Sequence, residues 1–131
     1  MTSLARQNPR RACVLIVEDE AMVLEIAVLE FEEAGYDVLT AADGAEAVEL
    51  LESSAQIDLL FTDIRLPGLI DGWDIAARAR ALRPRLPVIY ATGFSANGAK
   101  PVPGGRVFQK PYRPLTIIEA ARALGVPPEA P

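Results

Sequence analysis

Apolar positions in this chain follow two patterns that take turns along its length: short unbroken runs, and longer stretches where they recur every three or four residues. Residues 12–17 (Ala-Cys-Val-Leu-Ile-Val) are the first unbroken run. Its length and composition are those of a strand covered on both faces. Residues 20–34 have helical spacing, and Gly35 stands where helices stop. Residues 36–41 alternate more and predict a second strand. Asp43-Gly44 then turns the chain into a short helix over 45–53. Residues 57–62, interrupted only by Asp58, predict a third strand ending against Asp63, and Pro67-Gly68 breaks the backbone soon after. A helix over 73–82, stopped by Pro84, leads to a fourth strand at 87–92, and 105–109 predict a short fifth. Lys110-Pro111 precedes a last helix with Pro114 in its first turn, where a missing N–H does no harm.

Strands alternating with helices at this spacing predict an α/β fold: a five-stranded, doubly wound parallel sheet with helices on both faces and right-handed crossovers. One interval departs from the pattern. Residues 93–104 should hold the fourth crossover helix, yet they include Gly93, Gly98, Gly104, Pro101 and Pro103, the poorest helix formers. The fourth helix is therefore predicted to be short or replaced by a loop. Residues 1–11 are polar and basic and read as a disordered lead-in, 12–125 as one domain, and 126–131 as a tail rich in proline.

The chain has 131 residues, half apolar and a quarter charged, enough for one sizeable core. A net charge of −5 disfavours nucleic acid, whose phosphates need a basic face. No apolar run approaches the roughly 20 residues of a membrane span. The first eleven residues have no signal-peptide core, so the expected location is cytoplasmic, with no membrane partner. Cys13 is the sole cysteine, which rules out an intrachain disulfide and reads as a small core residue. The absence of histidine excludes histidine triads, zinc sites built on histidine, and any role as a phosphohistidine donor.

Candidate chemistry sits at the strand ends. Glu18 and Asp19 follow the first strand, Asp63 the third, Thr92 ends the fourth, and Lys110 lies just past the fifth. Parallel strands bring these ends to one rim, where open α/β sheets bind their ligands. Each residue alone reads as a cap or a surface group. Three carboxylates brought together repel and call for a cation. Hard oxygen donors suit Mg2+, which uses one or two carboxylates plus a phosphate oxygen. Lys110 and Thr92 supply the donors that a phosphoryl group would need, and an Asp that attacks phosphorus forms an acyl phosphate.

As an ordered set, these residues resemble the receiver domains of bacterial two-component response regulators. The resemblance covers about residues 12–125 and rests on Val-Leu-Ile-Val-Glu-Asp-Glu at 14–20, Ala-Ala-Asp-Gly at 41–44, Asp63 followed by Leu66-Pro67 and Asp71-Gly72, Ala91-Thr92, and Lys110-Pro111. It implies a flavodoxin-like sheet of receiver type, with Asp63 as phosphoacceptor and Glu18 and Asp19 as the acidic pair. Asp19 and Asp63 would bind Mg2+ directly, Glu18 through water, and Arg65 through its backbone carbonyl. Thr92 would hydrogen-bond the phosphoryl group and Lys110 pair with it. Two departures stand out. The loop over 66–71 looks one residue longer than usual. The place three before the lysine, commonly an aromatic switch, holds Val107, with Phe108 beside it. Tyr90-Ala91-Thr92-Gly93-Phe94 is similar to the Phe-Ala-Thr-Gly-x-Tyr pattern of the FATGUY receiver subgroup, which lacks that switch.

The expected function is that of a stand-alone receiver, monomeric or weakly dimeric. It would be phosphorylated on Asp63 by a histidine kinase or histidine phosphotransfer protein in a Mg2+-dependent reaction. It would act as an interaction switch or phosphorelay intermediate, not as an enzyme with substrate turnover. The rivals are a phosphohydrolase with an Asp nucleophile, disfavoured because Arg65 stands where its second carboxylate would be, and a binding module of the same fold without the chemistry. Taking Glu25 and Glu32 as the outward stripe of the first helix, Met22, Val28 and Leu29 flank it and mark a docking face for the kinase.

Overall fold

A strand in which every residue is apolar must be covered on both faces. In a computed structural model of the chain, which describes residues 10–93, 98 and 100–129, β1 (Cys13–Val17) and β4 (Val88–Thr92) are buried throughout. The other elements are α1 (Ala21–Glu33), β2 (Asp37–Ala41), α2 (Gly44–Glu52), β3 (Leu59–Asp63), α3 (Gly72–Leu82), β5 (Arg106–Gln109) and α4 (Pro114–Ala123). The strands form one parallel sheet in the order β2-β1-β3-β4-β5. This is the doubly wound sheet expected from the sequence, with element ends shifted by one or two residues.

The pleat divides the core in two. Val14, Ile16, Leu59, Phe61, Ile89 and Ala91 face α1 and α4, where they meet Ala27, Phe31, Ile117 and Ala121. Leu15, Val17, Leu60, Val88 and Tyr90 point the other way and meet Ala47 and Leu51 of α2 and Ile75, Ala76 and Ala79 of α3. Local chemistry sets where the helices begin and end. Asp43 caps α2 by accepting from the Glu46 amide at 2.8 Å. Asp71 and Asp74 form a reciprocal capping box at the start of α3. α1 ends where Gly35 turns to φ 102°, letting the Tyr36 amide bond the Phe31 carbonyl at 3.0 Å.

The expectation for residues 93–104 falls partly outside the described residues, at 94–97 and 99. Among those described, none is helical. Residues 102–105 form a turn in which the Gly105 amide donates to the Val102 carbonyl at 2.9 Å, with Gly104 at φ 78°. Most of the lead-in, residues 1–9, also lies outside the described residues. Residues 126–129 of the tail pack against the domain. The Ala12 amide donates to the Pro128 carbonyl at 2.8 Å, and the buried Tyr36 hydroxyl donates to the Val126 carbonyl.

Tyr90 joins three of these pieces. Its buried ring lies 4.7 Å from the ring of Trp73 at the start of α3, and its hydroxyl accepts from the Val102 amide at 3.0 Å. An added Cβ on Gly105 would stand 2.9 Å from the tyrosine's Cε2, so the turn rests directly on the ring. Tyr90→Phe leaves the Val102 N–H without its acceptor. The expected cost is about 1–2 kcal/mol in urea unfolding at unchanged m-value, with faster exchange of the Val102 amide. Equal stability would show that water satisfies that N–H.

Candidate functional site

The sheet order changes direction at β1, whose neighbours are β2 on one side and β3 on the other. Ligand sites of such sheets form at the carboxyl ends beside that point. Glu18 and Asp19 continue from β1 and Asp63 ends β3. One oxygen from each of these three carboxylates can be chosen so that all lie within 4.8 Å of one another. Lys110, following β5, reaches across the rim. Its Nζ donates to Glu18 Oε1 at 2.9 Å and to Asp63 Oδ2 at 3.1 Å. Thr92 is buried at the end of β4, and its carbonyl accepts from the Lys110 amide at 2.7 Å. Five residues singled out from the sequence thus meet at one place. Arg65 lies in the loop two residues beyond Asp63 and is exposed.

Main-chain donors hold the carboxylates in place. The Ile64 amide bonds Asp63 Oδ1 at 2.9 Å, and the Glu20 amide bonds Glu18 Oε2 at 3.1 Å. The Glu18 amide in turn bonds the Ala41 carbonyl, which fixes the end of β1 against β2. Sequence periodicity gave no sign of these amides, nor of Tyr112. That phenol is half-buried against Phe61, with ring centroids 5.6 Å apart, and lies within electrostatic range of Lys110, Glu18 and Asp63. Its place two residues after the lysine was the signal that would have found it.

Burial and then the Glu18 carboxylate push Asp63 up from its ordinary 3.8 to about 6, against the opposing pull of Lys110 and the Ile64 amide. Burial works against the Lys110 ammonium, yet the two carboxylates together hold it above its ordinary value. The site is strained electrostatically, a state that marks functional places more often than structural ones.

The chain matches the family model described as response regulator receiver domain over residues 14–121. It belongs to the receiver family. It is 38% identical to the response regulator SaeR of Staphylococcus epidermidis over 109 residues, 80% of this chain and 46% of that protein. The chain thus spans about half the length of that relative. It is 34% identical to the response regulator receiver protein CpdR of Brucella abortus, covering 80% of this chain and 89% of that one. A crystal structure of a response regulator receiver protein from Sinorhizobium medicae superposes with a TM-score of 0.85 at 33% identity, covering 88% of this chain and 94% of that chain.

Receiver domains bind Mg2+ at an acidic pocket. The donor set of this receiver, three hard carboxylates on one rim, fits that ion. Among the described residues no helix is long and apolar enough to cross a membrane.

In the metal-free receiver the raised pKa of Asp63 becomes a dependence of stability on pH. Between about 4 and 6 the folded state binds more protons than the unfolded one, so stability falls as pH rises through that window and the penalty is complete above it. Asp63→Asn removes the penalty and leaves Lys110 paired with Glu18. In EDTA at pH 7 the variant should be more stable by on the order of 1–3 kcal/mol, and near pH 4 the difference should vanish. Urea unfolding across this range checks it, and a variant less stable at pH 7 would contradict the argument.

Proposed function

We propose that this receiver takes a phosphoryl group onto Asp63 from the phosphohistidine of a kinase or phosphotransfer protein, with Mg2+ present. It would serve as a phosphorylation-controlled interaction switch or as an intermediate in a phosphorelay. The observation that carries this reading is Lys110, whose ammonium stands between Asp63 and Glu18 on a rim with Asp19 and Thr92.

Asp63 is the nucleophile. A carboxylate oxygen forms the P–O bond as the P–N bond of the phosphohistidine breaks, and the imidazole nitrogen keeps the electron pair. The Ile64 amide on Oδ1 orients the carboxylate. At neutral pH Asp63 is mostly ionised, with its pKa at about 6. Asp19, Asp63, the Arg65 carbonyl and, through water, Glu18 would hold Mg2+, which supplies charge neutralisation at the phosphoryl oxygens. Lys110 and Thr92 would bind the phosphoryl group once it is attached. A phosphohydrolase reading lacks support, since the position two beyond Asp63 is the exposed Arg65 and offers no second carboxylate.

The donor's approach is supported by a groove of about 570 Å³ beside Lys110, lined by Val23, Ile26 and Ala27 of α1 and by Pro111, Tyr112 and Pro114. Met22, Ile26 and Leu29 are exposed on α1 at 76%, 54% and 52%. Val28, expected on the same face, packs against the core instead, and Ile26 takes its place. An exposed apolar stripe at helical spacing fits an amphipathic partner helix.

Mass spectrometry after acetyl phosphate treatment should show one added phosphoryl group that depends on Mg2+ and disappears in Asp63→Ala. A label that persists in Asp63→Ala would refute the assignment. Ile26→Glu should slow transfer from a histidine donor at least about tenfold while leaving acetyl phosphate labelling unchanged. Equal effects on both reactions would refute docking at this groove.

A further inference from the structure

Two glycines touch the loop after Asp63 more closely than any side chain would allow. An added Cβ on Gly72, the first residue of α3, would stand 2.2 Å from the Asp63 carbonyl oxygen and 2.7 Å from Ile64 Cα. An added Cβ on Gly44, the first residue of α2, would stand 2.5 Å from Ile70 Cβ and 2.6 Å from the Ile70 carbonyl oxygen. Real Cβ atoms do not approach neighbours this closely, and most of these neighbours are backbone, which cannot swing aside. Neither glycine has a positive φ. Close approach alone therefore explains them, not a turn conformation.

Both contacts bear on the rim. The Gly72 amide also donates to the Ile64 carbonyl at 2.8 Å, so α3 starts hard against the peptide that carries Asp63. The Asp63 carbonyl also accepts from the Thr62 hydroxyl at 2.8 Å. Gly44 lies three residues beyond Ala41, whose carbonyl accepts the Glu18 amide. Ile70 resting on Gly44 thus ties the Asp63 loop to the strand end that bears Glu18 and Asp19.

We infer that Gly72 and Gly44 are positioning residues for the reaction at Asp63. Gly72 sets where the Asp63 main chain stands. Gly44, through Ile70, sets the spacing between the loop that contains Arg65 and the acidic pair. The inference rests on the proposed function, because it assigns the glycines to a site whose chemistry is that of phosphoryl transfer with a divalent cation.

The two roles predict different losses. Gly44→Ala pushes the loop away from the acidic pair and should weaken Mg2+ binding about tenfold, the scale on which groups behind metal ligands act. Gly72→Ala displaces the nucleophile itself. Its acetyl phosphate labelling should slow about a hundredfold even at saturating Mg2+. Gly125→Ala is the control. Gly125 has φ 88° and nothing within 4 Å of an added Cβ, so the variant is strained and less stable while the rim is untouched.

The experiment measures Mg2+ affinity by calorimetry without any phosphodonor, and then labelling rate against Mg2+ concentration, for the full chain and each variant. Ile70→Gly is included because it unseats the loop without adding an atom, and it should also weaken Mg2+ binding. Mg2+ affinity lost in Gly44→Ala and Ile70→Gly but kept in Gly125→Ala supports the inference, as does a folded Gly72→Ala with slow labelling. Folded Gly44→Ala or Ile70→Gly with wild-type affinity would overturn it, and so would losses of the same size in Gly125→Ala. A wild-type chain that neither binds Mg2+ nor takes the label would show that the proposed function itself has failed. A wild type that does both, with glycine variants that match it, sinks the positioning roles alone.

Discussion

Negative charges gathered on one rim of the sheet are the constraint on which the rest of the structure depends. Glu18, Asp19 and Asp63 come from two adjacent strands, with oxygens within 4.8 Å of one another, and Glu18 is buried. Burying one carboxylate next to another raises the free energy of the folded state unless a countercharge accompanies it. The chain supplies Lys110, and placing it requires β5 to run parallel at the far side of β4. The bond from the Lys110 amide to the Thr92 carbonyl locks that arrangement at 2.7 Å. Topology and electrostatics therefore select the same strand order. β1 and β3 carry the acids in the middle of the sheet, and a lysine on a four-carbon stem reaches back to them from the edge strand.

Much of this was legible in the residues because strands announce their ends. An unbroken apolar run followed by a carboxylate, as at residues 14–19 and 59–63, says both that a buried strand is present and that its end is polar. Parallel order then brings the ends together without further information. Less legible were features that depend on a few tenths of an ångström or on which turn of a helix faces the sheet. Ile26 and Val28 differ by two positions on α1, yet one lines the groove and the other packs on the core. No hydropathy pattern separates them, since the direction of the apolar stripe depends on how α1 lies across β1. The packing of residues 126–129 was hidden for a similar reason. Their prolines read as the end of order, while their carbonyls remain available and accept from Ala12 and Tyr36.

The departure at Val107 also acquires a physical account. Val107 pairs with Tyr90 in register and packs on the side of the sheet covered by α2 and α3, whereas Phe108 faces α1 and α4. The pleat forbids Phe108 from standing in for an aromatic residue at 107. Aromatic bulk on that side comes instead from the neighbouring strand. Tyr90 fills the space between Trp73 and the turn at 102–105, and its hydroxyl meets a main-chain amide there. A tyrosine in that place is fixed by packing on α3 and by a hydrogen bond, so another rotamer would give up both the packing and the bond to the Val102 N–H. Rotation of a ring at this point is therefore a poor device for transmitting a signal. What can respond is the backbone that the ring supports.

Lys110 is where such a response would begin. Its ammonium lies 2.9 Å from Glu18 and 3.1 Å from Asp63, so neither carboxylate holds it alone. Two nearly equal attractions sharing one cation are easily unbalanced. A phosphoryl group on Asp63 would replace the single negative charge of the carboxylate with about two, and the Coulomb term would then favour the Asp63 side over the singly charged Glu18 at similar distance. Because the Lys110 amide is bonded to the Thr92 carbonyl, the end of β5 and the end of β4 feel the same pull. The ends of β4 and β5 would then be the part of the fold most directly coupled to the charge on Asp63. It is coupled through one ammonium group whose position the unphosphorylated site leaves divided between two partners.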